Sequence, residues 1–314
     1  MKRRHFLTAG LLAPLALQNP IFAANDYDPR DPAKVVCFAK DPRRPKATLW
    51  QLTNQKNPQM MGYVLRTASG QTVVFDGGWA HDAPYLVDLL QKECGGKVDA
   101  WFFSHAHIDH CGAFAEIQTK TPDDVDVKTL VWNFPPREWL DEHAKGSAPN
   151  TKIIFDGIAA FKGERHIVKP GENFKFGELE IECLNDFDLS ITPNAINNST
   201  IVYRLDVADK SILMLGDLGY EGGDRVLQLV DHAKLECEFC QMAHHGQQGV
   251  RRSFYEVVKP RRTLWCAPDW LWRNDSGAGD GSGPFKTCDT RVWCAELGVE
   301  DYFVMKDGVI KLTF

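Results

Sequence analysis

The sequence has 314 residues, enough for one large or two ordinary domains with a hydrophobic core that needs neither disulfide nor metal. Its 36 basic and 42 acidic residues give a net charge of −6, which argues against a general nucleic-acid binder because such proteins need a basic surface. The proportions of hydrophobic (44%) and charged (25%) residues exclude a disordered or fibrous chain.

Residues 1–23 have the pattern of an export signal. Lys2, Arg3 and Arg4 precede an apolar run, and Ala23 stands at a plausible cleavage site. The order Arg-Arg-x-Phe-Leu resembles a twin-arginine signal, which exports proteins that are already folded. We therefore expect a periplasmic or secreted bacterial protein that contacts the twin-arginine export machinery transiently; an uncleaved anchor is the alternative. No later apolar run is long enough to span a membrane.

Residues 24–34 form a polar, proline-containing lead-in, and residues 35–314 are predicted to form one domain. Strands are predicted, in chain order, at 35–39, 48–52, 62–67, 72–75, 98–103, 127–132, 174–183 (a hairpin), 199–205, 211–215, 236–242, 302–305 and 309–314. Helices are predicted at 82–93, 111–119, 136–145, 151–162, 224–230 and 254–258. Because strands and helices alternate while several strands are joined by tight hairpins, we expect an α/β (α+β) fold with two mixed sheets and outer helices.

One stretch, residues 266–287, combines Trp270 and Trp272 with a run of glycine, serine and aspartate. It is either a plain surface loop or a mobile lid whose aromatic side chains close over a ligand. The two tryptophans are therefore candidate substrate contacts. Arg251, which follows a histidine pair, is another, because a guanidinium can bind a phosphate group with two hydrogen bonds.

Nine cysteines are unusual for an exported protein, where pairing is expected and an odd number leaves one over. Cys237 and Cys240 form a C-x-x-C, but in a strand the side chains of residues three apart face opposite sides. We therefore interpret them as small buried hydrophobic residues rather than a zinc knuckle. Folding in the reducing cytoplasm before export would be compatible with free thiols.

Five of the ten histidines fall in two clusters, each after a predicted strand. The first offers His105, His107, Asp109 and His110 within six residues. On a loop these four side chains can converge on two points, and imidazole with carboxylate suits zinc, manganese or iron. A purely structural role is disfavoured because burying such groups without partners costs free energy.

Further candidates follow other strands. Asp217 comes after an apolar strand and a glycine, where a carboxylate can bridge two metals, and His244 and His245 follow another strand. Asp76 precedes two glycines and could hold the loop of the first histidine cluster by hydrogen bonds.

The motif His105-x-His107-x-Asp109-His110 resembles the signature of the metallo-beta-lactamase-fold hydrolases, and the order of the later strands is similar over almost the whole mature chain. The resemblance implies a four-layer αββα sandwich with the metal site at one edge. It implies that the two histidines of the HxH pair bind a first metal, that Asp109 and His110 bind a second, and that Asp217 bridges the two.

Within that superfamily, Asn197-Asn198-Ser199 and the His-His-Gly triplet are similar to the DNA-internalisation competence proteins and the phosphorylcholine esterases, a branch that acts on phosphodiesters. Asn198 is accordingly expected beside the metal ligands. The chain departs from the lactamases and thioesterases, whose Pro-Gly-His-Thr turn supplies a histidine ligand; residues 193–198 read P-N-A-I-N-N. The first metal therefore lacks its third histidine unless His143, His166 or an asparagine carbonyl replaces it.

The resemblance and the motifs together predict a metal-dependent hydrolase with one or two divalent ions, zinc first, with manganese or iron as alternatives. Water held by such ions has its pKa lowered toward ~7, and Asp109 and Asp217 would orient the resulting hydroxide. We expect His244, nearer the strand end, to complete the second metal site. His245 would then face the substrate as general acid or oxyanion partner.

A small phosphodiester is the leading substrate hypothesis. Without residues 1–23 and their three basic side chains the net charge becomes −9, which disfavours polymeric nucleic acid. The first alternative is a carboxylic ester, lactone or β-lactam hydrolase with the same metals and a different pocket. The second is a non-catalytic metal-binding protein that keeps the fold.

Overall fold

The computed structural model describes residues 34–314, so the predicted export signal and nearly all of the lead-in lie outside the described residues. The strands, numbered in chain order, are β1 Lys34–Cys37, β2 Ala47–Gln51, β3 Gly62–Thr67, β4 Thr72–Asp76, β5 Lys97–Phe102, β6 Asp126–Trp132, β7 Glu164–Ile167, β8 Asn173–Phe176, β9 Leu179–Cys183, β10 Tyr203–Val207, β11 Lys210–Met214, β12 Phe239–Gln241, β13 Arg262–Trp265, β14 Asp301–Val304 and β15 Ile310–Thr313.

The strands form two mixed sheets. The eight-stranded sheet has the order β1-β15-β2-β3-β4-β5-β6-β7, and the seven-stranded sheet has the order β14-β13-β12-β11-β10-β9-β8. In the first, β2, β3 and β4 are antiparallel neighbours and β4 to β7 run parallel. In the second, β8 to β11 are antiparallel and β11 to β14 are parallel. This mixture follows from the tight hairpins on the one hand and the helical crossovers on the other.

Helices cover the outer face of each sheet. They are α1 Ala83–Cys94, α2 Ile108–Lys120, α3 Arg137–His143, α4 Ala148–Ala160, α5 Ala195–Asn198, α6 Tyr220–Leu229, α7 His232–Leu235, α8 Arg252–Val258, α9 Asp269–Trp272 and α10 Thr287–Glu296. Helices α1, α2 and α4 belong to the eight-stranded sheet, and α6, α8 and α10 to the other. The predicted four-layer αββα sandwich is confirmed. Within the described part of the chain, no helix combines the length and apolar character needed to cross a membrane.

The main core lies between the sheets. Phe75 and Phe102 of the eight-stranded sheet stack on each other, and Tyr203 of the other sheet meets their rings edge-on, with centroids 5.8 Å and 5.3 Å away. All three side chains are buried. Aromatic side chains of this size remove large apolar areas from water, so they hold the two sheets together.

All nine cysteines lie within residues 34–314 and are unpaired there, seven of them buried. Cys237 and Cys240 are part of the smaller core, between the seven-stranded sheet and its outer helices. Burial raises the pKa of the Cys240 thiol well above its usual value, as expected for an inert apolar side chain.

The first histidine cluster does not lie wholly on a loop. Helix α2 begins at Ile108, three residues before the predicted start, so Asp109 and His110 occupy its first turn. His107 is the N-cap residue and has extended backbone angles. An aspartate in the first turn is favoured by the partial positive charge of a helix N-terminus.

The strands bring the candidate residues together at one edge. Asp76 is the last residue of β4, and His105 follows β5 in the same sheet. Asp217 follows β11, and His244 follows β12 in the second sheet. Since these strands end on the same side, side chains from both sheets meet there.

Candidate metal centre

A first set of donor atoms comes from His105, His107 and Asp217. His105 Nε2 lies 3.0 Å from His107 Nδ1 and 3.8 Å from Asp217 Oδ2. The ligand atoms of all three lie within 4.8 Å of one another. His105 and Asp217 are buried and His107 is partly buried, so His107 carries most of the solvent exposure of this set.

A second set comes from Asp109, His110 and His245, whose ligand atoms also lie within 4.8 Å of one another. His245 Nε2 is 3.3 Å from Asp109 Oδ2. Asp217 stands between the two sets: its Oδ1 is 3.2 Å from His110 Nε2, and its Oδ2 is 3.5 Å from His245 Nε2.

The donor atoms fit divalent metal ions. Within residues 34–314, His110 Nε2, His245 Nε2 and Asp217 Oδ1 are buried and have no hydrogen-bond partner. Orphaned polar atoms in a dry interior cost free energy, and coordination of a metal satisfies all three. Imidazole nitrogens with carboxylate oxygens suit zinc, manganese or iron, so the chemistry alone leaves the identity of the metal open.

Hydrogen bonds behind the donors fix their orientation. His110 Nδ1 donates to Asp76 Oδ2 at 2.8 Å, and His245 Nδ1 donates to the Cys266 carbonyl at 3.0 Å. Asp76 also accepts from the Ser104 amide at 2.9 Å and from the Ser104 hydroxyl at 2.8 Å. Each imidazole is therefore held as the tautomer whose Nε2 lone pair faces the site.

The electrostatics of the metal-free site differ between the two sets. Burial holds the pKa of His105 well below its usual range and lowers that of His107. Burial acts in the same direction on His110 and His245, but the neighbouring carboxylates outweigh it. The pKa of His110 is well above its usual range and that of His245 is raised to about 9. Despite its burial, the pKa of Asp217 is held well below normal by the adjacent imidazoles.

The backbone of the second histidine cluster is strained. His244 and His245 have φ of 52° and 56°, and Gly246 follows with φ of 83°. Left-handed backbone costs a non-glycine residue about 1–2 kcal/mol, and such strain persists where the surroundings determine it. The tight left-handed turn directs the two neighbouring imidazoles to different places.

The turn places the two histidines differently from the expected arrangement, in which His244 completes the second metal site and His245 faces the substrate. His245 is fully buried and joins Asp109 and His110, whereas His244 is absent from both donor sets of the described chain. The His244 side chain is 21% exposed, its Nδ1 donates to the Gln248 carbonyl at 3.0 Å, and its Nε2 is 3.9 Å from Asp217 Oδ2. The prediction assumed that the residue nearer the strand end points inward, but the left-handed turn places the next residue there.

Asn197 lies where the third histidine is missing. It is buried, its Nδ2 is 3.3 Å from His244 Nε2, and its Oδ1 has no partner among the described residues. The predicted Asn198 instead joins α5 to α6, accepting from the Gly222 amide and donating to the Pro193 carbonyl. The other two candidates are engaged elsewhere: His143 packs on Trp139 and His166 bonds Glu172.

The three predicted substrate contacts lie among other partners. Arg251 pairs with Asp224 at 3.0 Å and stacks on the Tyr220 ring. Trp272 is partly buried and packs edge-on against Trp265 of the smaller core. Trp270 donates its indole N–H to the Asn57 carbonyl at 2.9 Å, so it holds a loop from the other half of the chain.

Sequence reasoning missed two supporting groups, Ser104 and the Cys266 carbonyl, and it did not single out Asn197 from the other asparagines of residues 193–198. Ser104 directly precedes the first histidine, and its hydroxyl lies 2.9 Å from His105 Nδ1, so its position in the motif was a usable signal. Asn197 lies in the turn that lacks the histidine. A backbone carbonyl such as that of Cys266 leaves no signal in the sequence, because every residue has one.

Comparison with known proteins gives a match to one family. The profile of the Metallo-beta-lactamase superfamily matches residues 62–276. The probable RNase MJ4 of Methanocaldococcus jannaschii is 27% identical over 171 residues, 52% of this chain and 39% of its own. ComE operon protein 3 of Bacillus subtilis is 26% identical over 183 residues, 58% of this chain and 21% of its own. The probable metallo-hydrolase YqgX of Bacillus subtilis is 26% identical over 156 residues, 49% of this chain and 63% of its own. Each match thus spans less than two thirds of the relative.

The fold has solved counterparts. The metallo-beta-lactamase fold protein YhfI from Bacillus subtilis superposes with a TM-score of 0.50 at 12% identity, covering 84% of this chain and 98% of that one. At this identity the likeness concerns the fold alone.

Proposed function

Since the chain belongs to the metallo-beta-lactamase superfamily, we propose that it is a metallo-hydrolase and that it cleaves a small phosphodiester with divalent metal ions held at this centre.

The observation that carries the proposal is the position of Asp217 between the two donor sets. One carboxylate oxygen lies beside His110 and the other beside His105 and His245. Two neighbouring sets that share a carboxylate suit a pair of metal ions, and such pairs stabilise both the attacking and the leaving oxygen in phosphoryl transfer.

The residues of the centre have different roles in the proposed reaction. Metal ions bound here supply Lewis acidity and a nucleophilic water at neutral pH. Asp109 and Asp217 would orient such a water by accepting its hydrogen bonds. His245, whose Nδ1 is held by the Cys266 carbonyl, serves as a ligand. We assign the position facing the substrate to His244, because it lies at the more exposed side of Asp217.

Three observations support a small phosphodiester. Asn197 occupies the turn in which lactamases carry a histidine, and its carboxamide lies next to His244. One relative is a probable RNase, and RNases cleave phosphodiester bonds. The net charge of −6 weakens attraction to a polyanion, so a small substrate is favoured over polymeric nucleic acid.

The test is hydrolysis of bis-p-nitrophenyl phosphate by protein loaded with Mn²⁺ or Zn²⁺, beside a lactone, a thioester and a β-lactam. We expect turnover of the phosphodiester that stops when a chelator removes the metal. Asp224→Asn is a matched control, because this carboxylate pairs with Arg251 away from the centre.

Two results would contradict the proposal. Cleavage of the lactone, thioester or β-lactam without phosphodiester turnover would assign the carboxylic ester class instead. Well under one metal per chain, unchanged by Asp109→Ala, together with no turnover of any substrate, would indicate a non-catalytic protein.

We also propose export through residues 1–23, on the twin-arginine resemblance alone. The measurement is cell fractionation of the full chain beside an Arg3→Lys, Arg4→Lys variant. Periplasmic or secreted wild type and retained variant are expected; equal distribution of the two would refute twin-arginine export.

A further inference from the structure

A fully buried glutamine, Gln241, joins the two loops that carry Asp217 and His245. It is the last residue of β12, and its side chain has no exposed area. Its Oε1 accepts from the Leu215 amide at 2.7 Å. Its Nε2 donates to the carbonyls of Gly216 at 3.0 Å and Met242 at 2.7 Å.

These three bonds all go to backbone groups just before the candidate ligands. Leu215 and Gly216 immediately precede Asp217, and Met242 precedes the strained turn by two residues. One side-chain amide therefore spans the gap between two parallel strand ends, β11 and β12. The register of the strands themselves does not fix this gap, because pairing ends at Leu213 and Cys240.

The Gly216 carbonyl also accepts from the His244 amide at 3.0 Å. Gln241 therefore donates to the Gly216 carbonyl, which also accepts from the first residue of the strained turn. It donates as well to the Met242 carbonyl, in the segment that leads into that turn. Since two left-handed residues are costly, the turn needs such outside bonds to persist. Loss of the amide would let the turn relax and move His245 relative to Asp217.

We propose that Gln241 is a positioning residue that sets the distance between the shared carboxylate of Asp217 and the imidazole of His245. The proposal rests on the proposed metal centre but not on the nature of the substrate. Gln241 touches neither metal nor substrate; it acts through the backbone of both loops.

The experiment compares Gln241→Met, which removes all three bonds at nearly constant volume, with Asn185→Leu. Asn185 is also buried and makes two bonds to backbone groups, the Thr200 carbonyl and the Val202 amide, outside the two loops that carry Asp217 and His245. Both variants lose buried hydrogen bonds, so both should unfold at a lower temperature.

The readouts are the affinity for Co²⁺, measured by chelator competition, and the visible absorption spectrum of the Co²⁺-loaded protein. For Gln241→Met we expect a shifted spectrum and about 10- to 100-fold weaker binding at the His245 site, the loss seen for groups that orient ligands. Asn185→Leu should keep the wild-type spectrum and affinity.

An unchanged spectrum and affinity in folded Gln241→Met would overturn the proposal and leave Gln241 a purely structural residue. If that variant does not fold, Gln241→Glu decides, because it retains the acceptor for the Leu215 amide and loses donors; wild-type binding would again overturn the proposal. Absence of Co²⁺ binding by the wild type would instead overturn the metal centre itself.

Discussion

Asp217 is the residue on which both donor sets depend. Its Oδ1 lies beside His110, its Oδ2 lies beside both His105 and His245, and the side chain is buried. Removing it would disturb both sets at once, because Asp217 belongs to the first set and lies within 3.5 Å of His110 and His245 of the second.

Asp217→Ala should therefore lower kcat/KM by more than about 100-fold. This exceeds the 10- to 100-fold loss that is typical when a residue that only orients a metal ligand is replaced. Metal content should also fall, while the circular dichroism spectrum stays that of a folded protein because the main core lies elsewhere. The measurement is kcat/KM with metal analysis, beside Asp224→Ala. A fully active Asp217→Ala variant would refute the shared-carboxylate assignment.

The two adjacent histidines should respond differently to replacement. His245→Ala removes a buried donor of the second set, so one metal per chain should be lost or bound much more weakly. His244→Ala leaves both sets intact and should keep its metal while kcat falls. Elemental analysis beside steady-state kinetics separates the two; equal metal loss in both variants would contradict the division of roles.

At the scale of elements, the turn after β12 is constrained both by its backbone angles and by its packing. A Cβ on Gly246 would lie 2.2 Å from the Trp265 ring, in backbone with φ of 83°. Gly298 has nearly the same φ, 80°, but nothing within 4 Å of its Cβ position. The two glycines therefore share a backbone conformation and differ in the room available for a Cβ atom.

Gly298→Ala should cost about 1–2 kcal/mol from left-handed backbone alone. Gly246→Ala should cost about 1–3 kcal/mol more, because the neighbouring ring must shift, and metal affinity should fall with it. Urea unfolding of both variants, with metal titration, measures this. Equal destabilisation would show that the Trp265 contact is unimportant.

Elements with a strong pattern were predictable, and those determined by tertiary contacts were not. The prediction for 62–67 matches β3, because an apolar run followed by a Ser-Gly turn marks the strand. Helix α1 is shifted by one residue from 82–93, because a glycine stop marks its end. Helix α10 and strand β13 were missed. The motif identified the residue types of the centre, but the orientation of the His244–His245 pair depends on a left-handed turn that local sequence does not specify.

For the whole molecule, the metal and the fold are coupled through the protons of the site. The pKa of His245 is raised to about 9 in the metal-free protein, above its usual 6.5. Its proton therefore stabilises the metal-free fold below pH 6.5, and this stabilisation is lost as pH rises through about 9. Metal binding requires the neutral imidazole and must displace that proton.

The melting temperature of metal-loaded protein should accordingly exceed that of chelated protein, by a difference that widens from pH 6.5 to 9. At a metal concentration of 100 Kd the stabilisation is about 2.7 kcal/mol. Thermal unfolding with Mn²⁺ or with chelator across this range measures it. The widening should be much smaller in His245→Ala; a difference that narrows with pH would contradict the proton displacement.

The position of β15 has a consequence for the order in which the molecule can be built. This strand inserts between β1 and β2, pairing parallel with Lys34–Cys37 and antiparallel with Ala47–Gln51. During synthesis, β2 and β1 therefore lack this partner until residues about 260 and 276 positions later have been made. Until then the β2 edge lacks its partner, and an open edge of this kind invites pairing with other chains. The nascent chain therefore completes its eight-stranded sheet only when its last strand leaves the ribosome.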